Sequence, residues 1–137
     1  MNILFFLKPK NEVAYIYDHS TLRQALETME YHKYASIPML NRRGEYVGSI
    51  TEGDILWGIK AYTDFSLKEA ENIFIKDFPR KADYAVVSAD SDMEDLVKKA
   101  MNQNYVPVVD DQNKFIGIIT RRSIIEYCYD RLSECDK

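Results

Sequence analysis

Two hydrophobic periods alternate along the chain. Runs of four or five mostly apolar residues, "VAYIY" at 13–17, "IPML" at 37–40 and "YVGSI" at 46–50, read as short strands, and "YAVVS" at 84–88, "VPVV" at 106–109 and "FIGII" at 115–119 repeat the set. Between the first and second run of each set the period changes to that of a helix. Leu22, Ala25, Leu26 and Met29 share one face of a helix expected near 21–33, with Ser20 or Thr21 as its cap. Met93, Leu96, Val97 and Ala100 do the same further on, where Ser91 and Glu94 have capping-box spacing. The polar links "NRRGE" and "DDQNK" join the later strands into hairpins. Thr51 and Thr120 then stand where strand gives way to helix, near 52–62 and 121–132. The opening "MNILFFL" reads as a further strand.

The two sets superimpose. With Gly48 on Gly117, a shift of 69, Pro38 falls on Pro107, Val47 on Ile116, Ile50 on Ile119, Thr51 on Thr120 and Ile55 on Ile124. Upstream the shift becomes 71: Tyr34 on Tyr105, Met29 on Ala100, Leu26 on Val97, Leu22 on Met93, Ala14 on Ala85. The two-residue difference reads as a deletion ahead of the second proline, where Ala35-Ser36-Ile37 is reduced to Val106. The boundaries that follow are residues 1–63 for one repeat, 64–79 for a connector and 80–137 for the second repeat, forming one compact module. The connector holds Ile73, Phe74, Ile75 and Phe78, too apolar for a free linker, and is expected to pack between the halves; Ser66 and Glu69 suggest a short helix there.

Charge and composition narrow the function. A net charge of -4 and a pI near 5.2 give no basic footprint for nucleic acid. No apolar run reaches the roughly 18 residues of a membrane span, and no secretory leader is evident, so a cytoplasmic protein with reduced Cys128 and Cys135 is expected. Two histidines and two separated cysteines suggest no metal site, and no nucleophile–base constellation suggests an enzyme, so the catalytic and metal sets are empty. The ten tyrosines are dispersed rather than interleaved with basic residues, which favours packing over base stacking. Trp57 reads as core or dimer packing and Cys128 as a small core residue.

The strand-to-helix turns carry the candidate chemistry. In "GSITEGD", Thr51 heads a helix whose unsatisfied N–H groups favour an anion, and Asp54 lies one turn on, able to accept from a ribose diol. Both residues also serve as helix-capping groups without any ligand. "GIITRRS" keeps Thr120, replaces the carboxylate with Ser123 and adds Arg121 and Arg122. Cations at a helix N-terminus call for a compensating anion, such as phosphate, or else point to solvent or pair with carboxylates across a dimer.

The order β-α-β-β-α, twice, with "IP" opening a hairpin and "GxITxxD" closing it, resembles the CBS domain pair, or Bateman module, over essentially the whole chain, as a stand-alone pair. That resemblance implies an α/β (α+β) fold of tandem repeats with pseudo-two-fold symmetry, hairpin sheets packed together and flanked by helices. It implies a regulatory module, not an enzyme, that takes AMP, ADP, ATP or cyclic di-AMP as ligand in clefts between the repeats, and that forms a homodimer. The alternative is a nucleotide-switched interaction protein regulating a separate enzyme or transporter. "IGIITRRSIIEY", with the preceding "DFPR", further resembles the cyclic-di-AMP-binding CBS-pair proteins of Firmicutes. Carried over, one cleft would combine Ala14, Tyr15, Tyr34, Ala35, Ser36 and Pro38 with Thr120, Arg121, Arg122 and Ser123. The other would combine Thr51 and Asp54 with Ala85, Val86, Tyr105, Val106 and Pro107, across a shortened adenine wall.

Overall fold

The computed structural model describes residues 2–61, 66–80 and 84–135. Tyr62, where the first strand-following helix was expected to end, and the 63/64 boundary lie outside them. In chain order the elements are β1 (Lys8–Pro9), β2 (Ile16–Tyr17), α1 (Leu22–His32), β3 (Ser36–Leu40), β4 (Tyr46–Thr51), α2 (Glu52–Lys60), β5 (Val87–Ser88), α3 (Met93–Ala100), β6 (Tyr105–Val109), β7 (Phe115–Thr120) and α4 (Arg121–Cys135). They fall into two compact units, Ala14–Asp83 and Met1–Val13 with Tyr84–Lys137.

The 14–83 unit is a three-stranded sheet, β2-β3-β4, covered by helices. The helical stripe of α1 supplies Leu22, Ala25 and Met29 to a core shared with Ile37, Met39, Ile50 and Ile55. Burial of each larger apolar side chain contributes about 1.5–3 kcal/mol. Thr21 rather than Ser20 is the cap: its hydroxyl accepts from Gln24 N at 3.2 Å, while Thr21 N donates to Gln24 Oε1 at 2.8 Å. The connector belongs to this core, with Ala70, Ile75 and Phe78 buried in it. Its backbone is tied to the start of α1, Leu22 N donating to Ile73 O and Ile75 N to Ser20 O.

The second unit is a four-stranded sheet, β1-β7-β6-β5, over a core of Ile3, Val87, Leu96, Ala100, Val106, Val108, Ile119 and Ile124. The opening segment is not the expected strand. Ile3–Phe6 form a 3-10 turn capped by Asn2, whose Oδ1 accepts from Leu4 N at 2.9 Å, and only Lys8–Pro9 pair with β7. The turn places Ile3 in the core of this unit. The cap of α3 also differs from expectation. Asp92 accepts from Asp95 N at 2.8 Å, and Ser91 instead takes Ser88 N at 3.1 Å.

The hairpins repeat residue for residue. Ser36 pairs with Thr51, Pro38 with Ser49 and Met39 with Gly48; Tyr105 pairs with Thr120, Pro107 with Ile118 and Val108 with Gly117. Both ladders shift register at the next residue. The second strand before the proline is therefore not shortened, contrary to expectation: Ser36 is matched by Tyr105 and Ile37 by Val106. The missing two residues are absorbed between helix start and strand: α1 has 11 residues and three more before β3, whereas α3 has 8 and four more before β6. Among the described residues no helix is long and apolar enough to cross a membrane, and no group of His, Cys, Asp and Glu could hold a metal.

Candidate functional site

Thr51 leaves β4 extended (φ -109°, ψ 162°), and the chain turns at once into α2. Its hydroxyl accepts from Asp54 N at 3.0 Å, and Asp54 Oδ2 accepts from Thr51 N at 3.0 Å, a reciprocal capping box. The capping role is thus real, and it holds the Asp54 side chain, only 8% exposed, at the helix N-terminus. Above this turn opens a pocket of about 730 Å³ lined by Thr51, Gly53, Asp54, Trp57, Gly58, Ala61, Pro79 and Arg80. That volume suits a drug- or nucleoside-sized ligand. Gly58 is needed beneath it, because a Cβ there would come within 2.3 Å of the Phe78 ring. Arg80 reaches back to the strand, Nη1 donating to Ser49 O at 3.4 Å. A helix N-terminus, a carboxylate and a guanidinium therefore face one volume beside an indole. Trp57 is not core: it is 65% exposed and lines the pocket.

Opposite Thr51 in the ladder stands Ser36, whose buried hydroxyl has no hydrogen-bond partner. A buried hydroxyl left without a partner costs about 1–3 kcal/mol. Ala35 O accepts from Glu52 N at 2.9 Å, and Tyr34 stacks on His32 with centroids 5.2 Å apart. Tyr15 packs edge-on against Tyr17, and burial, followed by the bond and charge of Tyr17, raises its phenol pKa. Pro38 lacks an N–H, which β3 tolerates because pairing to β2 begins only at Met39.

At the arginine turn each arginine has a partner within its own unit. Thr120 Oγ1 accepts from Ser123 N at 3.1 Å, and Ser123 Oγ donates back to Thr120 O at 2.8 Å. Arg121 Nε donates to Ala100 O and Gln103 O, both at 2.9 Å. Its compensating charge is the negative carbonyl end of α3, so no bound anion is required. Arg122, with its side chain 88% exposed, pairs with Glu126 one turn along at 2.9 Å.

In the same unit, Ala85 N donates to Gln103 Oε1 at 2.8 Å, while Gln103 Nε2 donates to Ala85 O at 3.0 Å and Tyr105 O at 3.1 Å. Tyr105 is buried, its ring 4.9 Å from Tyr84. Val106 is buried in the ladder opposite Ile119, Pro107 lies opposite Ile118, and Val86 precedes β5 half-buried. Each unit thus brings its own turn and pre-proline strand together, Ser36 with Thr51 and Tyr105 with Thr120. Each residue set expected for a cleft draws on both units. Arg80, which lines the pocket, and Gln103, which braces the backbone of Ala85 and Tyr105, were not singled out from the sequence. Arg80 closes the "DFPR" already quoted for the resemblance, and the buried connector brings it to the pocket. Cys128, expected in the core, is exposed on α4 with Cys135.

Known proteins resemble this chain in sequence or in fold. An uncharacterized protein of Methanocaldococcus jannaschii, MJ1225, is 27% identical over 134 residues, covering 90% of this chain and 48% of its own. The inosine-5'-monophosphate dehydrogenase of the same organism is 30% identical over 121 residues, covering 84% of this chain and 21% of the enzyme. The chain thus spans about half, or one fifth, of the length of these relatives. Among solved structures, CbpB in complex with c-di-AMP superimposes with a TM-score of 0.83 at 22% identity, covering 99% of this chain and 89% of that one. A CBS domain protein from Streptococcus pneumoniae TIGR4 gives 0.82 at 29%, covering 93% and 86%. CBSX2 in complex with AMP gives 0.76 at 20%, covering 94% and 96%. The CBS domain pattern itself matches residues 7–61 and again 70–130, and with the twice-repeated ladder and turn this places the chain in the CBS domain family, as a pair of CBS repeats.

Proposed function

We propose that this chain is a regulatory module, not an enzyme, that binds an adenine nucleotide: AMP, ADP, ATP or cyclic di-AMP. The observation that carries the reading is the pocket at the Thr51–Asp54 turn, where a helix N-terminus and Arg80 favour phosphate and Asp54 favours a ribose diol. The orphaned Ser36 hydroxyl opposite that turn supports it. So do the c-di-AMP held by CbpB and the AMP held by CBSX2. Of the two arginines after Thr120, Arg122 is the one a phosphate can recruit, since Arg121 is committed to carbonyls. The protein works as a cytoplasmic homodimer whose shape answers to the ligand's differential affinity for two states.

A thermal-shift screen of the four nucleotides tests this. At a ligand concentration about 100 times Kd, the correct nucleotide raises stability by about 2.7 kcal/mol. Asp54→Ala weakens its binding by about tenfold to a hundredfold, the equivalent of one lost charged hydrogen bond. No shift with any of the four, and no change on that substitution, would remove the nucleotide reading. Slow turnover of a bound nucleotide would return the protein to the enzymes.

A further inference from the structure

Three residues lining the pocket of the 14–83 unit follow one another at intervals of three: Thr51, Asp54 and Trp57. Along a helix each such interval advances about 4.5 Å. A nucleotide has the same order of parts, phosphate, sugar and base. With phosphate at the helix N-terminus and the ribose diol on Asp54, the base falls beside the indole of Trp57. That indole is open to the pocket. Its neighbours four residues away on either side, Gly53 and Ala61, are too small to cover the ring. The Lys60 ammonium lies over the ring, 5.8 Å from its centroid, and stands outside the pocket lining. An exposed aromatic ring accepts any base, since every base has a π-face. We propose that Trp57 is the platform on which the base of the bound nucleotide stacks. This rests on the nucleotide reading above and adds the residue that holds the base.

The second unit carries the same turn without the platform. The shift of 69 places Ser123 on Asp54, Glu126 on Trp57 and Tyr127 on Gly58. Glu126 is a carboxylate paired with Arg122 where the first unit has an indole. Tyr127 carries a full ring where the first unit has no side chain at all. That ring packs edge-on against Phe6, centroids 5.2 Å apart, and the Arg131 guanidinium lies 4.9 Å from its centroid. Phe6 is the counterpart of Phe78: each stands at the end of a 3-10 turn that buries an isoleucine, Ile3 in one unit and Ile75 in the other. Phe78 thus meets a glycine, and Phe6 meets a tyrosine ring. The two units keep the same scaffold under the turn, and only the 14–83 unit sets an open aromatic face on it.

Trp57 is the chain's one tryptophan, so tryptophan fluorescence of the full chain reports on this ring alone. AMP, ATP and cyclic di-AMP are titrated in parallel with calorimetry on the same samples. A nucleotide that binds should quench the fluorescence over the same concentrations, and an excess of ribose 5-phosphate, which has no base, should leave it unquenched. Trp57→Ala should weaken that nucleotide by about fivefold to a hundredfold, and Trp57→Phe, which keeps a ring, should recover most of the loss. The fluorescence of the parent chain holds the test open if a variant fails to fold. Binding without a fluorescence change, equal quenching by ribose 5-phosphate, or a folded Trp57→Ala that binds as tightly as the parent each overturns the proposal. In the last case, a fall in mass by light scattering would give the indole to a contact between copies. A parent chain that binds none of the three nucleotides overturns the functional reading beneath it instead.

Discussion

Residue identity misleads most where a side chain serves backbone far away in sequence. Arg121 and Arg122 look alike in "TRRS", yet one is folded onto the carbonyl end of α3 and the other lies in solvent. Local patterns name a helix N-terminus; they do not name the carbonyls 18 and 21 residues upstream that reach it. The two arginines therefore separate by measurement. Arg121→Ala loses bonds from a charged donor to two carbonyls and should destabilise the fold by about 1.5–3 kcal/mol. Arg122→Ala removes an exposed ion pair with a neighbour one turn away and should change stability by less than about 0.5 kcal/mol. Urea unfolding of both variants decides it, and equal losses would contradict the assignment of Arg121. Gln103 escaped sequence reasoning for the same reason, since a glutamine in a loop carries no motif. Thr51 and Asp54 did not escape it, because a capping box is written in four consecutive residues.

Elements were legible where period and punctuation agree. The hairpins, the four helices and their order follow from alternation, polar turns and repeated Thr positions; pairing within the hairpins keeps the shift of 69, and the parallel strands ahead of the helices keep 71. What stayed hidden was where a helix stops. Lys33 ends α1 in the left-handed region (φ 58°), whereas α3 runs into Met101 without one, so the two-residue difference could not be placed by alignment. The N-terminal turn was hidden too, because a short apolar run fits strand and buried turn equally well. Its docking on β7 explains Gly117. The backbone there has φ 154°, and a Cβ would lie 2.2 Å from Lys8 O. Gly117→Ala should push β1 away and cost more than the roughly 1 kcal/mol of an ordinary glycine replacement. Loss of hydrogen-exchange protection across β1 and β7, with β6 retained next to β5, would mark the local cause; an unaltered melting temperature would refute it.

At the scale of the molecule, the repeat announced the family, while surfaces announced little, because an amphipathic helix and a helix with a second apolar face look similar in a short sequence. On α4, Ile124 faces the core, whereas Ile125, Tyr129 and Leu132 are 58%, 68% and 66% exposed at the spacing of one helical face. On α2, Leu56 and Trp57 are exposed beside a buried Ile55. Covering such side chains is worth about 1.5–3 kcal/mol each when burial is complete, and two-fold pairing with a second copy is the commonest way to achieve it. The charges of α4 suit an antiparallel self-contact: Arg121, Arg122 and Glu126 leave its first half positive, and Asp130, Arg131 and Glu134 leave its second half negative. The proposed homodimer should therefore weigh twice the 16.0 kDa of the chain by light scattering at micromolar concentration. Leu132→Glu, at an exposed site, should keep the circular dichroism spectrum and shift the protein towards monomer, because a two-fold contact receives the new charge twice. A parent chain that scatters as a monomer at high micromolar concentration, or a Leu132→Glu variant that dimerises as well as the parent, would mean that α4 meets some other surface.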